Sequence, residues 1–167
     1  MTTSHQAMVR AADIAETDHL ARLWHDVWHG SHAQLAPPEL VRLRTLDSFR
    51  DRLLAALPNV RVVGPLGAPL GFCALRGDEL HQLFVAPEAH GSGVAAALIA
   101  DAELRLAGRG VETTWLTCAI GNDRAARFYE KSGWRRAATV IDVLETSQGP
   151  FSVQVWRYEK RLARPIG

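Results

Sequence analysis

One stretch is the most informative about the fold and the function of this chain: Leu83-Phe84-Val85-Ala86-Pro87-Glu88-Ala89-His90-Gly91-Ser92-Gly93-Val94-Ala95-Ala96-Ala97-Leu98. Its apolar beginning predicts a β-strand that ends at the proline, and its alanine-rich end predicts a helix. Gly91 and Gly93 lack a Cβ, so the backbone there can approach a ligand closely. The first amides of the helix have no partners within it and lie at the positive end of its dipole. The stretch therefore predicts a binding site for a phosphate or pyrophosphate group.

The composition is that of an ordinary folded protein. The 167 residues are 47% hydrophobic and 22% charged, with a net charge of +1. These values predict one domain over residues 1–167, and they give no reason to expect a nucleic acid or an anionic membrane as partner. No apolar run approaches the roughly 20 residues that cross a bilayer. Cys73 and Cys118 lie in apolar runs, which predicts buried free thiols and a cytoplasmic location.

The pattern of apolar residues and chain breakers predicts a mixed α/β or α+β sheet. Four helices are expected, and the second of them is interrupted near Thr45-Ser48, with Asp47 or Ser48 as the cap of its second part. The predicted helices cover 13–29, 39–57, the segment from the glycine loop to 107, and 123–132. The predicted strands cover 9–12, 60–63, 70–75, 80–85, 113–120, 134–145 and 151–158.

A second set of residues lies in the segment from Asn122 to Trp134. Asn122 and Tyr129 are two helical turns apart, so both side chains lie on one face of the predicted helix. A carboxamide and a phenol placed this way can face a single ligand. Taken singly, Asn122 is better explained as a helix cap and Tyr129 as a core residue.

Together the two segments resemble the GNAT superfamily of acyl-CoA-dependent N-acetyltransferases. The pyrophosphate loop of that family reads Gln/Arg-x-x-Gly-x-Gly/Ala, and here it is 90–95, with His90 as the departure from the pattern. Because histidine titrates near neutrality, His90 introduces a possible pH sensitivity of cofactor binding. The resemblance implies a GNAT-type α+β fold, with a central mixed, mostly antiparallel sheet of about six to seven strands and about four helices. The second family signature is matched by Asn122, Ala125, Phe128, Tyr129, Gly133 and Trp134.

The resemblance implies that acetyl-CoA is the co-substrate and that no metal is needed. Backbone groups of Phe84 and Val85 are expected to pair with the pantetheine arm, and Asn122 to form a hydrogen bond with it. The CoA pyrophosphate would be held by the segment that follows His90, through the amides of Gly91, Ser92, Gly93, Val94, Ala95 and Ala96.

The implied chemistry is direct attack of a primary amine on the thioester, polarised by a backbone N–H near Val85. Tyr129 is expected to protonate the leaving thiolate. An alkylammonium has a pKa near 10.4, so a general base is needed. Glu79 is the first candidate, with a solvated hairpin carboxylate as the alternative. His81 is the second candidate, and it shares its strand with Gln82 on opposite faces.

The sequence says less about the acceptor amine than about the cofactor. Trp28 and His81 are candidate substrate-binding residues, although a tryptophan at the position of Trp28 is more often a core residue than part of a pocket. The series His25, His29 and His32 predicts a polar helix face rather than a zinc site. A protein N-terminus, an amino acid and a small amine all remain open as acceptors. A homodimer is compatible with the last strands, because the run 151–156 has the character of an edge strand.

Two other functions remain open. The chain would be a non-catalytic sensor if it kept the acyl-CoA site without turnover, but Asn122 and Tyr129 argue against this. It would be a different transferase if the donor were another acyl-CoA, such as succinyl-CoA or propionyl-CoA.

Overall fold

The computed structural model describes residues 8–164 as a seven-stranded sheet with helices on both faces. All neighbouring strands are antiparallel except the fourth and fifth, which are parallel. The mixed, mostly antiparallel α+β sheet expected from the sequence is confirmed. In chain order the strands are β1 (Val9–Ala11), β2 (Val60–Val63), β3 (Gly71–Arg76), β4 (Glu79–Val85), β5 (Thr113–Ala119), β6 (Arg135–Thr146) and β7 (Gly149–Arg161).

Five α-helices and three short 3₁₀ turns accompany the sheet. The second predicted helix is two helices, because Thr45 has an extended backbone and its hydroxyl accepts a hydrogen bond from the Ser48 amide at 3.2 Å. The cap therefore lies at Thr45, not at Asp47 or Ser48 as predicted. The helices are α1 (Thr17–His32), α2 (Pro38–Leu43), α3 (Leu46–Ala56), α4 (Val94–Gly108) and α5 (Asp123–Lys131), and the 3₁₀ turns are Ile14–Glu16, Leu57–Asn59 and Pro87–Ala89.

Two apolar cores lie on opposite faces of the sheet. Phe72 packs with Trp24 of α1 and Phe49 of α3, whereas its neighbour Cys73 packs in a separate cluster with Leu98 of α4. Successive strand residues point to opposite faces, so α1 and α3 cover one face and α4 covers the other. Both cysteines are buried free thiols, as predicted. Burial raises the pKa of Cys73 to about 12.

The parallel strands β4 and β5 form one paired position and then separate. Their pairing is limited to Glu79 and Trp115. Beyond that position, β4 remains paired with β3 on one side and β5 with β7 on the other. A gap therefore opens in the middle of the sheet, toward the ends of both strands.

The sheet order corrects the expectation for the last strands. The strand at the edge is β6, and β7 lies between β5 and β6. Within the run 151–156, Val155 and Trp156 are paired on both sides, whereas residues 151–154 pair only with β6 and keep one free edge. Only the part of β7 from Val155 onward pairs with β5, so its first half extends past β5 together with β6.

A β-bulge interrupts the pairing of β3 with β4. Ala74 pairs with Gln82 and Leu75 pairs with Leu80, which leaves His81 without a partner on β3. A bulge breaks the alternation of side chains along a strand. The expectation that His81 and Gln82 face opposite sides therefore does not hold, and both side chains line one cavity.

None of the helices in the described part of the chain combines the length and apolar character needed to cross a bilayer.

Candidate active site

The main cavity occupies the gap between β4 and β5 and has a volume of about 860 Å³. Its walls come from the two separated strands, from α1–α3 and α5, and from the β6–β7 hairpin. Among the predicted catalytic, cofactor-binding and substrate-binding residues, five line it: Trp28, His81, Phe84, Asn122 and Tyr129. Glu79, Val85 and the segment 90–96 lie outside its lining.

The glycine loop presents unpaired amides beside this gap. Gly91 and Gly93 have φ values of +78° and +89°, and a Cβ built on either residue would meet nothing within 4 Å. The Ser92 amide donates to the Ala89 carbonyl at 3.2 Å, so it is already engaged. No residue between 8 and 164 accepts a hydrogen bond from the other five amides of the predicted set, those of Gly91, Gly93, Val94, Ala95 and Ala96.

A second cavity, of about 620 Å³, connects this loop with the main cavity. His90, Asn122 and Arg124 border it, and Leu35 and Asn122 line both cavities. His90 is exposed at this position. A path for an elongated ligand therefore runs from His90, at the start of the glycine loop, past Asn122 into the gap between the strands.

The backbone of β4 offers hydrogen-bonding groups to that path. Ala86 donates its N–H to the Leu70 carbonyl at 2.8 Å, on the β3 side. Because backbone groups alternate between the two sides of a strand, those of Leu83 and Val85 point into the gap and those of Phe84 point toward β3. Phe84 instead contributes its side chain to the cavity wall.

Tyr129 lies on α5 with its ring against Tyr158 and Trp134, at centroid distances of 6.0 and 6.3 Å. Its hydroxyl has no hydrogen-bond partner within the described residues. Burial and the nearby Cys118 thiol raise the pKa of Tyr129 above its ordinary value. The phenol is therefore protonated at neutral pH and has a proton to donate in the cavity.

Asn122 is the N-cap of α5, one of the two roles that its sequence position suggested. Its side-chain oxygen accepts a hydrogen bond from the Ala125 amide at 3.3 Å, which caps α5. Because that contact uses the oxygen, the side-chain NH₂ group remains available to a ligand in the cavities that Asn122 lines.

Glu79 is almost completely buried, at 3% exposure, so the solvated carboxylate considered from the sequence is not what the structure contains. One carboxylate oxygen is 3.1 Å from the Arg76 guanidinium, and the other is 3.1 Å from Nδ1 of His81. An ionised carboxylate only accepts hydrogen bonds, so Nδ1 of His81 is the donor. His81 lines the cavity and Glu79 does not.

The histidines of α1 do not share one polar face. His29 donates from Nε2 to the Arg44 carbonyl at 2.7 Å. His32 stacks on Trp28 with ring centroids 5.8 Å apart, and both residues line the main cavity. Burial lowers the pKa of His32 to about 4, so its imidazole is neutral at pH 7. Trp28 is both a core residue and a cavity wall.

Sequence patterns missed two cationic residues of the site. Arg44 follows α2 and Arg52 lies on α3, and both line the main cavity. Neither belongs to a recognisable motif. A weak signal was available, since both arginines fall within predicted helical segments that also contain buried leucines.

Comparison with known proteins places this architecture among acetyltransferases. The profile of the acetyltransferase (GNAT) family matches residues 17–134. An uncharacterized N-acetyltransferase from Mycobacterium tuberculosis is 39% identical over 94 residues, which cover 54% of this chain and 56% of the relative. The match thus spans only about half the length of the curated relatives.

Solved structures share the fold at low sequence identity. A GCN5-related N-acetyltransferase from Rhodopseudomonas palustris superposes with a TM-score of 0.72 at 20% identity, over 93% of this chain and 96% of the other. A phosphinothricin acetyltransferase from Sinorhizobium meliloti, solved in complex with acetyl-CoA, superposes with a TM-score of 0.69 at 15% identity, over 94% and 89% of the two chains.

Proposed function

Because this chain belongs to the GNAT acetyltransferase family, we propose that it transfers an acetyl group from acetyl-CoA to a primary amine by direct attack. The observation that carries the proposal is the set of five unpaired amides at the start of α4, beside a gap in the sheet. Oriented amides at a helix N-terminus bind phosphate well. The gap can accept the remaining part of acetyl-CoA, the pantetheine arm with its thioester.

The cofactor would extend from the glycine loop past Asn122 into the gap between β4 and β5. The amides of Gly91, Gly93 and 94–96 would hold the pyrophosphate, with His90 at the rim. The pantetheine arm would pair with the gap-facing backbone of Leu83 and Val85 in the manner of an added strand. Asn122 would donate its NH₂ group to the arm, and the side chain of Phe84 would pack against it.

We assign the role of general base to His81 and a positioning role to Glu79. Glu79 holds the proton on Nδ1 of His81, which leaves Nε2 with a lone pair to accept a proton from the substrate ammonium. Glu79 itself is engaged by Arg76 and His81 and has no surface in the cavity. Tyr129 would protonate the departing CoA thiolate, because its free hydroxyl lies in the same cavity. The Val85 N–H, which points into the gap, would polarise the thioester carbonyl.

The domain organisation and the cellular compartment can be proposed from the same structure. We propose that residues 1–167 act as one acetyltransferase domain, since a single sheet joins all the strands that the structure describes. Two buried free thiols support a reducing compartment such as the cytoplasm.

The test is calorimetric titration with acetyl-CoA and CoA, followed by a thiol-release assay with a panel of amines. Tight binding of acetyl-CoA together with amine-dependent thiol release is the expected result. Binding without release across a broad panel would indicate the non-catalytic sensor. Faster release from succinyl-CoA or propionyl-CoA than from acetyl-CoA would change the donor, and absence of any acyl-CoA binding would exclude the proposal.

A further inference from the structure

The main cavity contains two guanidinium groups that lack an anionic partner. Arg44 is 3% exposed, and Arg52 is half-buried on the neighbouring helix. Within residues 8–164, no carboxylate lies within 4 Å of either group. Arg10, Arg61 and Arg76, in contrast, each form an ion pair with a carboxylate.

Both groups are held in place by uncharged contacts. The Arg44 Nη1 atom donates to the Glu145 carbonyl at 3.0 Å. The Arg52 guanidinium lies over the Trp24 ring at 4.4 Å and over the Phe49 ring at 5.5 Å. These rings fix the plane of the Arg52 guanidinium while its N–H groups make no hydrogen bond to any described residue. A fixed guanidinium with free N–H groups is prepared to bind an oxyanion in a bidentate manner.

In these buried surroundings, two guanidinium charges without an anionic partner are energetically costly. Burial lowers the pKa of Arg44, and burial together with the charges of Arg44 and Arg76 lowers the pKa of Arg52. Guanidinium groups nevertheless stay protonated in proteins, so two like charges persist there with little solvent. Three other charged residues of the described chain line the cavity. Arg76 is paired with Glu79, and Asp142 and Glu145 on β6 form no ion pair within 4 Å with Arg44 or Arg52.

Apolar side chains form much of the wall of this cavity beside the two arginines. Its walls, on the side of α1–α3 and the β6–β7 hairpin, include Trp24, Trp28, Leu40, Phe72, Phe84 and Leu144. Such walls fit an aromatic or aliphatic body and provide no acidic cluster for a polyamine.

We propose that the acceptor is a primary amine that carries a carboxylate or a similar oxyanion on an apolar body, and that Arg44 and Arg52 bind this oxyanion. The inference rests on the proposed acetyl transfer and specifies its acceptor. Of the acceptors left open by the sequence, it selects a free amino acid or a related amino acid analogue over a protein N-terminus or a simple amine.

The test uses amines that share one phenethyl skeleton: L-phenylalanine, 1-amino-2-phenylethylphosphonate, L-phenylalaninamide and phenethylamine. Thiol release is measured with wild type, Arg52→Met and Arg50→Met at saturating acetyl-CoA. Arg50 is the control because it lies on the same helix but pairs with Asp18 at the surface. Wild type should prefer the two anionic amines, and Arg52→Met should reduce kcat/KM for them by about 10- to 100-fold, the value of a charge-assisted pair. Arg50→Met and the neutral amines should change little.

A binding measurement separates this inference from the proposed function. 3-Phenylpropionate has the oxyanion but no amine, and its titration into the CoA-bound protein requires no turnover. We expect binding to wild type and Arg50→Met and loss of binding in Arg52→Met. Equal kcat/KM for phenylalanine and phenethylamine, a preference for phenylalaninamide, or no binding of 3-phenylpropionate at millimolar concentration would overturn the inference while leaving acetyl transfer intact. Failure of acetyl-CoA to bind would instead remove the proposed function.

Discussion

The Oε1 atom of Glu79 lies 3.1 Å from Nδ1 of His81, and only the histidine reaches the cavity. The two residues are separated by one position on β4, where the bulge changes the direction of His81. This contact fixes the imidazole so that Nε2 is the nitrogen without a proton. It also separates the roles proposed for the two candidate bases: His81 would exchange the proton, and Glu79 would orient the imidazole.

The division of roles can be tested by combining two substitutions. His81→Gln should lower kcat by about 10²- to 10⁴-fold, the contribution of a general base, with little change in the acetyl-CoA affinity. Glu79→Gln should lower kcat less, and the double variant should be no slower than His81→Gln alone, because Glu79 acts through His81. A double variant much slower than either single variant would assign the base to Glu79.

The amides of the glycine loop can be tested with a matched pair of glycines. Gly93 and Gly110 have φ values of +89° and +84°, and neither has an atom within 4 Å of an added Cβ. An alanine at either position should therefore cost a similar free energy of folding, about 1 kcal/mol. Gly93→Ala should also weaken acetyl-CoA binding by roughly tenfold or more, because its methyl group occupies the side from which the pyrophosphate approaches the amides.

Gly110→Ala is the control, since this glycine follows the other end of α4. Equal acetyl-CoA affinities for the two variants, measured by calorimetry, would move the pyrophosphate away from the loop.

Asn122 permits its two roles to be separated. Asp caps a helix as well as Asn does, but it has no NH₂ group. Asn122→Asp should therefore keep the melting temperature near that of wild type and weaken acetyl-CoA binding. Asn122→Ala should lose both, with about 1 kcal/mol of stability removed along with the cap. Unchanged binding in Asn122→Asp would reduce this residue to a helix cap.

Tyr129→Phe should lower kcat by about 10- to 100-fold while the acetyl-CoA affinity stays within a few-fold of wild type, since only the proton donor is removed. The control is Tyr158→Phe. The Tyr158 hydroxyl donates to Glu130, and the residue does not line the cavity. Tyr158→Phe should lower the melting temperature and leave kcat near wild type. Full activity of Tyr129→Phe would mean that the thiolate leaves without help from the phenol.

His32 predicts a pH dependence of stability. Its pKa is about 4 in the folded protein and ordinarily 6.5, so the unfolded chain binds the proton more tightly. The contribution of the neutral imidazole is complete above pH 6.5 and is lost as the pH falls from 6.5 to 4. The loss is on the order of 3 kcal/mol, at 1.36 kcal/mol for each pKa unit. Urea unfolding of His32→Gln should show a weaker dependence over this range, and an identical dependence would assign the effect to another group.

Much of the cofactor side of the site was predictable because it is local in sequence. The strand, glycine loop and helix around Gly91 and Gly93 follow from apolar runs and breakers, and the cap at Asn122 follows from its place before α5. The chemistry of this side uses backbone amides next to the residues that form the loop. No knowledge of distant contacts was needed.

The acceptor side depends on long-range packing and could not be obtained in this way. The bulge at His81 depends on the register of β4 against β3, and a pattern with a period of two residues cannot show it. Glu79 appeared to be a hairpin carboxylate, and its burial results from its place beside β5. Arg44 and Arg52 reach one cavity only because α2 and α3 pack over the sheet. The order of the last two strands likewise follows from pairing, not from composition.

The single paired position between Glu79 and Trp115 has a mechanical consequence. The two halves of the sheet share a single backbone pairing, so they are joined chiefly by the apolar cluster that contains Leu80 of β4 and Leu116 of β5. A bound thioester cofactor in the gap would form backbone hydrogen bonds with the strands and join the two halves into one cooperative unit. Bound cofactor would then slow hydrogen–deuterium exchange at the amides of Leu83 and Val85, and it would make the two halves unfold together.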